Sequence, residues 1–166
     1  MKQARGFTLI EILVVIFIIS IVTSVAVLSI GRNENKQVES FANELTQLVS
    51  LAEEQAMLQP KVLGLTLNQQ YLQFSSLQAE GTKRNWVPLD DNVLGKRDVP
   101  SGIEIGIQVG DALTKSDDDL TKKPQIIIST NGDVTPFTIY VGRKGKKPLY
   151  AISGDADGNV TSRELL

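Results

Sequence analysis

An apolar run from Phe7 to Ile30 reads FTLIEILVVIFIISIVTSVAVLSI and carries a single charged residue, Glu11. About 20 apolar helical residues are enough to cross the hydrocarbon core of a bilayer, whereas a cleaved secretory signal has an apolar run of about 7 to 15 residues. The run therefore predicts a transmembrane helix over residues 7–30. Lys2 and Arg5 precede it, so the positive-inside rule places residues 1–6 in the cytoplasm and the chain after about residue 31 across the membrane.

Glu11 is the costly residue of this run, because an ionisable side chain inside a bilayer costs at least about 2.5 kcal/mol unless a partner compensates it. One interpretation is a carboxylate that reaches back to the nearby interface. The other is a carboxylate that meets the positive N-terminal amine of a neighbouring subunit, which replaces two isolated charges by one compensated pair. The second interpretation makes Glu11 an assembly residue.

The composition excludes most kinds of catalytic site. The 166 residues include no Cys and no His, which removes disulfides, thiolate and imidazole metal sites, and the serine and cysteine triads that depend on His. The net charge of −2 gives no overall attraction to nucleic acid. We expect no enzyme, no catalytic residue, no bound metal and no cofactor.

Beyond the predicted span, apolar residues return at intervals of three and four, which is the pattern of one helix face. The pattern stops at Pro60, which cannot continue a helix. We therefore expect one helix from Phe7 to Leu58, whose part over residues 31–59 is amphipathic. The residues of this face are Val38, Phe41, Leu45, Leu48, Ala52 and Ala56.

After Pro60 the apolar residues alternate with a period of two, which predicts half-buried strands. The predicted strands lie around 62–67, 71–75, 103–109, 125–130, 133–141, 149–152 and 159–161. Asn131-Gly132 predicts a hairpin with a type I′ turn between two of them. Residues 76–102, which include Trp86, and residues 110–124 are predicted loops. One long N-terminal helix packed on antiparallel β-sheet gives an α+β class.

The N-terminal string Gly6-Phe7-Thr8-Leu9-Ile10-Glu11, after a short basic leader, resembles the class III signal of type IV pilins and pseudopilins. The resemblance implies a pilin-like fold and a leader, residues 1–6, that prepilin peptidase removes. Cleavage would fall between Gly6 and Phe7, with N-methylation of Phe7. It also implies that Glu11, then the fifth residue, serves assembly.

The globular part, residues 60–166, is similar to the GspH/FimT domain family through an ordered series of short motifs. The similarity favours the GspH branch: a minor pseudopilin near the tip of the type II secretion pseudopilus, with a periplasmic domain and an inner-membrane anchor. It implies as partners other pseudopilins of the GspG, GspI, GspJ and GspK type, prepilin peptidase, the inner-membrane assembly platform and membrane lipid. The motifs are Glu54-Gln55-Ala56, Gly64-Leu65, Tyr71-Leu72-Gln73-Phe74, Trp86-Val87-Pro88-Leu89, Pro100-Ser101-Gly102-Ile103 and Asn131-Gly132-Asp133-Val134-Thr135-Pro136-Phe137.

Two groups of residues, one around Trp86 and one basic, each have two possible interpretations, one of which is contact with a partner. Trp86 and Pro88 are candidates for a partner contact, since Trp is enriched at binding hot spots, or else Trp86 caps the hydrophobic core. The basic residues Arg143, Lys144, Lys146 and Lys147 are predicted to top a hairpin, where they either contact nucleic acid, as in a FimT- or FimU-like minor pilin of type IV pili, or form a solvated turn. The second reading of the basic residues is favoured, and nucleic acid is not expected as a partner.

Two acidic segments are candidates for a cation site. Asp117-Asp118-Asp119 either attracts a cation or forms a solvated loop. Asp155, Asp157 and Asn159 are spaced like EF-hand ligands, but the glycine falls at the fourth position instead of the sixth, which favours a tight turn. A third functional class, an unrelated single-span sensor or anchored enzyme, differs from both pilus readings because it predicts no processing at Gly6.

Overall fold

The computed structural model describes residues 8–110, 112–114 and 123–165, with side chains for 8–24, 33–110 and 123–165. Its helix, α1, runs Leu9–Leu58 without interruption. The backbone amide of Glu11 donates to the Thr8 carbonyl at 3.1 Å and to Thr8 Oγ1 at 3.3 Å, so Thr8 caps the helix. The predicted continuous helix is confirmed from Leu9 onward, while Phe7 lies outside the described residues.

The chain divides into two compact units, Met1–Gln37 and Val38–Leu166. In the second unit, the predicted apolar face of α1 is buried, and its side chains join those of the strands in one hydrophobic core. Spacing of three and four residues places them on one stripe of the helix. The confirmed residues are Val38, Phe41, Leu45, Leu48, Ala52 and Ala56.

Within the described residues, ten strands follow the helix and form two sheets. Their bounds are β1 Leu63–Leu67, β2 Tyr71–Glu80, β3 Lys83–Pro88, β4 Arg97–Asp98, β5 Ile103–Val109, β6 Ala112–Thr114, β7 Ile126–Ile128, β8 Phe137–Arg143, β9 Pro148–Gly154 and β10 Val160–Glu164. The first sheet has the order β3-β2-β1-β7, with β4 also paired to β2, and the second has the order β10-β9-β8-β5-β6. Every strand pair is antiparallel, as the α+β prediction requires.

The prediction that β1 is half-buried is wrong, because all five of its residues are buried. β1 lies between β2 and β7, and its odd-numbered leucines face the core. On the other face, Pro124 and Trp86 lie so close over Gly64 that a Cβ there would stand 2.5 Å from Pro124 Cγ and 2.8 Å from Trp86 Cζ3. A leucine alternation thus predicts the strand but cannot reveal what covers its second face.

The predicted hairpin at Asn131-Gly132 is confirmed in a short form, because Ile128 and Val134 form an antiparallel bridge across the turn, but its predicted type I′ turn is wrong. The turn exists, because the amide of Gly132 donates to the Ser129 carbonyl at 3.1 Å and Gly132 has φ of 91°, but Asn131 lacks the positive φ that a type I′ turn needs. β7 pairs with β1, whereas β8 pairs with β5 and β9. Pro136, which has no amide hydrogen, separates the turn from β8, and the chain passes here from the first sheet to the second.

The predicted loop over residues 76–102 is wrong in its first part. β2 continues to Glu80 and forms a hairpin with β3 through a turn at Gly81, which has φ of 64°. The sequence of β3, KRNWVP, shows no apolar alternation because the strand lies at an exposed sheet edge. In the other predicted loop, residues 110–124, β6 occupies Ala112–Thr114 and the run Asp117-Asp118-Asp119 lies outside the described residues.

Two glutamine side chains act as substitutes for strand neighbours. Immediately before β7, Gln125 Oε1 accepts the amide of Leu67 at 2.9 Å and Gln125 Nε2 donates to the carbonyl of Leu67 at 3.1 Å. Gln69 makes the same pair of contacts with Ile105 of β5, and its Oε1 accepts the Ile105 amide at 3.2 Å. Gln69 thereby ties the β1–β2 turn of the first sheet to the second sheet.

Candidate functional site

Of the predicted processing and assembly residues, Gly6 and Phe7 lie outside the described residues, so cleavage between them stays a prediction. Glu11 lies in the first turn of α1 and is exposed. Exposed apolar side chains flank it, among them Leu9, Ile10 and Ile12. A carboxylate in the first turn interacts favourably with the positive end of the helix dipole, and an ammonium group of another molecule can reach it from outside.

The helix surface around Glu11 is apolar and open. All side chains described from Thr8 to Ser24 are exposed, and an exposed apolar surface of this extent marks contact with membrane or protein. Among the described residues, no helical segment reaches the length and apolarity needed to cross a membrane. The predicted span over residues 7–30 extends past the described side chains at both ends and stays a prediction.

Trp86 and Pro88 lie on β3, at the edge of the first sheet and on the face that points away from the core. The register pairs Trp86 with Leu77 and Pro88 with Ser75, so all four share this outer face. Trp86 is half-buried and is not part of the hydrophobic core cluster. The interpretation of Trp86 as a cap on the core is therefore wrong, while the partner contact stays a prediction.

A groove of about 290 Å³ lies on this outer face, and we call it the outer-face groove. Thr66, Gln73 and Ser75 line it from β1 and β2. Gln73 Nε2 is held in place because it donates to the carbonyls of Phe74 at 2.9 Å and Leu89 at 3.2 Å. The floor of the groove is thus polar and made by the two central strands of the sheet.

The remaining lining residues of the outer-face groove are mostly aromatic rings and prolines. Trp86, Pro88 and Pro124 contribute apolar surface. Tyr71 carries the ammonium group of Lys96 over its ring, with Lys96 Nζ 4.3 Å from the ring centroid. A cation at this distance from an aromatic face is attracted by the ring electrons, so the positive charge is localised at the groove.

The basic residues lie in the turn between β8 and β9, as predicted. The amide of Lys146 donates to the Arg143 carbonyl at 2.9 Å, and Gly145 has φ of 69°. Lys144, Lys146 and Lys147 are exposed, whereas Arg143 is half-buried. Glu104 places a negative charge against the turn, because its Oε2 accepts the amide of Gly145 at 2.8 Å. Contact of this turn with nucleic acid stays a prediction.

The segment from Asp155 to Asn159 forms a tight turn, as favoured from the sequence. Asp155 Oδ1 accepts the amides of Asp157 at 3.0 Å and Asn159 at 2.9 Å, and Oδ2 accepts the side-chain amide of Asn159 at 3.0 Å. These hydrogen bonds, led by that of the Asn159 side chain, lower the pKa of Asp155. The carboxylate of Asp155 is therefore engaged by the turn itself.

Glu53 of α1 packs against this turn and against the turn at Gly132, where its Oε1 would lie 3.6 Å from a Cβ placed on Gly132. Burial raises the pKa of Glu53, and the negative charge of Asp155 raises it further. No group of three or more acidic side chains among the described residues is arranged to hold a metal ion.

The sequence reasoning missed the outer-face groove as a site. It singled out Trp86 and Pro88 but not Thr66, Ser75, Tyr71 or Lys96. The alternation in β1 and β2 contains a signal, since Thr66, Gln73 and Ser75 are polar residues that alternate with the buried core residues of these two strands. Nothing local in the sequence, however, brings Lys96 and Pro124 to the same place.

Comparison with known proteins gives two family matches: the prokaryotic N-terminal methylation motif over residues 1–27, and the family described as type II transport protein GspH over residues 42–158. The chain belongs to the GspH family. Curated relatives include type II secretion system protein H of Pseudomonas aeruginosa, 29% identical over 95% of this chain and 94% of the relative. The protein of the same name from Escherichia coli is 26% identical over 92% of this chain and 89% of the relative.

Solved GspH structures share the fold. The minor pseudopilin EpsH of the Vibrio cholerae type II secretion system has a TM-score of 0.64 at 24% identity, covering 76% of this chain and 94% of that chain. The solution structure of E. coli GspH has a TM-score of 0.63 at 21% identity, covering 78% of this chain and 89% of that chain. Both confirm the pilin-like architecture of a helix packed on antiparallel sheets.

Membership of the GspH family identifies the chain as a type II secretion pseudopilin, a structural component that interacts with other pseudopilins. The methylation motif identifies it as membrane-anchored. The comparisons do not favour the FimT- or FimU-like pilus alternative, because the named relatives belong to type II secretion.

Proposed function

We propose that this chain is a minor pseudopilin that assembles near the tip of the type II secretion pseudopilus and supports protein export across the outer membrane. The observation that carries the proposal is a GspH-family domain attached to an open apolar helix that bears Glu11 in its first turn. The absence of His and Cys from the whole sequence also favours an assembly role over catalysis.

In this proposal the precursor inserts once into the inner membrane, with residues 1–6 in the cytoplasm and the GspH domain in the periplasm. Prepilin peptidase cuts between Gly6 and Phe7, and the new amino terminus is methylated. The match to the methylation motif over residues 1–27 supports this processing. The expected partners are pseudopilins of the GspG, GspI, GspJ and GspK type, the inner-membrane assembly platform and membrane lipid.

Glu11 has the central role in assembly. Its carboxylate compensates the positive amino terminus of a neighbouring subunit, and this pair removes the cost of two isolated charges in an apolar environment, about 2.5 kcal/mol or more for each. The partner must come from another subunit, since an amine at residue 7 of the same helix would lie one turn away and must satisfy helix-terminal geometry in the same space.

Coexpression with prepilin peptidase tests the processing step. The wild-type chain should lose the six-residue leader and shift in size on a gel, whereas Gly6→Val should stay uncut because the bulkier residue blocks cleavage. Intact Met1 in wild-type protein recovered from an assembled pseudopilus would contradict the processing step of the proposal.

The substitution Glu11→Gln tests the assembly step. The variant should insert and be processed, because it makes the helix more apolar, but its incorporation into the pseudopilus should fall about tenfold or more, as judged by crosslinking. Glu54→Gln is the matched control, since Glu54 is an exposed glutamate near the other end of α1. Wild-type incorporation of Glu11→Gln would count against the charge pair.

A further inference from the structure

The outer-face groove contains two hydroxyl groups that lack hydrogen-bond partners within the part of the chain that the structure describes. Thr66 is 7% exposed and Ser75 is 6% exposed, and both line the groove. Neither hydroxyl is a buried unpartnered atom, so both open into the groove, where each can donate one hydrogen bond and accept two. The floor therefore presents unused hydrogen-bonding groups to whatever enters the groove.

The walls of the outer-face groove are held in place by a close approach to β1. Trp86 and Pro124 lie directly over Gly64, at distances that leave no space for a Cβ. Trp86 is thereby held in position although it lies on an edge strand and is half-buried. A fixed, partly exposed tryptophan is typical of the anchor residues of protein interfaces.

The charge around the groove is positive. Lys96 lies over the Tyr71 ring, and the described residues supply no carboxylate in a salt bridge with it. Arg84 shares the outer face with Trp86, and the exposed Lys123 precedes Pro124. Asp98 adds one negative charge to the same face, because it pairs with Tyr71. The surplus of cations complements a ligand that carries a carboxylate.

We propose that the outer-face groove binds an extended, acidic peptide segment of another subunit. A carboxylate of the segment pairs with Lys96, its backbone or carboxylate oxygens accept hydrogen bonds from the Thr66 and Ser75 hydroxyls, and an adjacent apolar side chain packs against Trp86. The size of the groove, about 290 Å³, lies at the lower limit of small-molecule pockets and suits a few peptide side chains. The identity of the occupant as a subunit rests on the proposed function.

A direct binding experiment uses the full chain in mild detergent, with Trp86 fluorescence as the signal, because Trp86 is the single tryptophan of the sequence. The probe is the peptide acetyl-Ala-Leu-Asp-Leu-Asp-Ala-amide, and the control probe replaces both Asp residues by Asn. We expect the acidic peptide to bind at least tenfold more tightly than the neutral one, with an affinity that falls as salt is added. Equal binding of both peptides, or no binding of the acidic peptide, would overturn the proposal.

Three variants locate the binding. Lys96→Glu should lower the affinity for the acidic peptide at least tenfold. The double variant Thr66→Val, Ser75→Ala should lower this affinity about fivefold while leaving the apolar walls intact. Lys147→Glu, an exposed lysine of the β8–β9 turn, makes the same charge change outside the groove and should bind like the wild type. Wild-type affinity in Lys96→Glu, which is an exposed position and tolerates the change, would overturn the proposal.

Crosslinking in cells separates this inference from the proposed function. A photocrosslinker at position 96 should capture another pseudopilin identified by mass spectrometry, and one at position 147 should not. If the wild-type chain joins the pseudopilus but position 96 captures no pseudopilin, the groove proposal fails and the proposed function stands. If the chain joins no pseudopilus at all, the proposed function fails, and the peptide measurement alone decides whether the groove binds acidic segments.

Discussion

At the scale of single residues, Glu53 and Asp155 affect stability in opposite directions. The pKa of Asp155 is lowered, because groups of its own turn donate hydrogen bonds to the carboxylate. Ionised Asp155 therefore stabilises the folded state above the ordinary aspartate pKa, and this stabilisation is lost as the pH falls through the folded-state pKa. The pKa of Glu53 is raised by burial and by Asp155. Ionised Glu53 therefore opposes folding at neutral pH.

The variant Glu53→Gln tests whether the ionised carboxylate of Glu53 destabilises the folded state. Because the pKa of Glu53 is higher in the folded state, wild-type stability falls as the pH rises from the ordinary glutamate value of about 4.3 through the folded-state value. We expect Glu53→Gln to be more stable than the wild type at pH 7.5 and to lose this advantage near pH 3.5. Urea unfolding followed by Trp86 fluorescence measures both values.

Glu54→Gln is the control for this measurement, since Glu54 is an exposed neighbour on the same helix. It should leave the free energy of unfolding nearly unchanged at both pH values. A loss of stability in Glu53→Gln at pH 7.5 would show that the carboxylate accepts hydrogen bonds that the turns need.

At the scale of elements, the turns at Gly132 and Gly158 meet the C-terminal part of α1. A Cβ at Gly158 would lie 2.8 Å from the carbonyl oxygen of Gly132 and would collide with the Glu53 carboxylate. Gly158 also has φ of 87°, a conformation that costs other residues about 1 to 2 kcal/mol. The sequence Asp157-Gly158-Asn159 therefore needs its glycine for both space and backbone conformation.

We expect Gly158→Ala to lower the free energy of unfolding by roughly 2 to 5 kcal/mol, the sum of the backbone cost and overpacking. Gly81→Ala is the matched control, since Gly81 has φ of 64° but nothing within 4 Å of its Cβ position. It should lose about 1 to 2 kcal/mol, the backbone cost alone. If chemical denaturation gives equal losses of unfolding free energy for Gly158→Ala and Gly81→Ala, the close contact of Gly158 with α1 contributes nothing to stability.

The elements also show what a sequence can predict. The helix face from Val38 to Ala56 and the strand Ile103–Val109 follow local periodicity, and both were predicted correctly. The strand Lys83–Pro88 was missed, because an edge strand exposed on most of its length has no apolar pattern to detect. The hairpin at Asn131-Gly132 was predicted correctly only as a short bridge between Ile128 and Val134. Its strands β7 and β8 belong to different sheets, since sheet membership depends on distant partners and not on the turn sequence.

Among candidate site residues, the sequence singles out Glu11, because a lone charge in an apolar run is unusual whatever the fold, while its role in assembly stays a prediction. It could also predict that the basic residues top a turn, since strand-like segments flank them. It could not predict the outer-face groove, whose lining residues come from β1, β2, β3 and two connecting segments. Only the pairing of strands brings Thr66, Ser75 and Lys96 together.

At the scale of the whole molecule, charge opposes a role in DNA binding. The chain has a net charge of −2, and the basic turn holds the carboxylate of Glu104 against Gly145. Stacking sites for bases would need aromatic side chains between the cations, and residues 143–147 contain none. The positive charge of the turn is thus local and partly offset.

We therefore expect no salt-sensitive binding of a 20-base-pair duplex to the full chain near micromolar concentration at physiological salt, measured by fluorescence anisotropy. Four cations that neutralise about four phosphates would instead give a log–log salt slope of roughly −3 to −4. Such a slope, lost when Arg143, Lys144, Lys146 and Lys147 are all changed to Ala, would favour DNA uptake over secretion.

The side chain of Gln125 affects how a subunit that has not yet joined a filament is protected from aggregation. β7 begins at Ile126, so no strand residue pairs with Leu67 on this side of β1. Without another partner, the amide and carbonyl of Leu67 would form an open sheet edge, which is a template for another copy of the chain. Gln125 occupies both groups, and a side-chain amide, unlike a strand, offers no further row of backbone groups on its far side. The sheet is therefore closed at this point to chain-by-chain growth, so that subunits awaiting incorporation are protected there from aggregation.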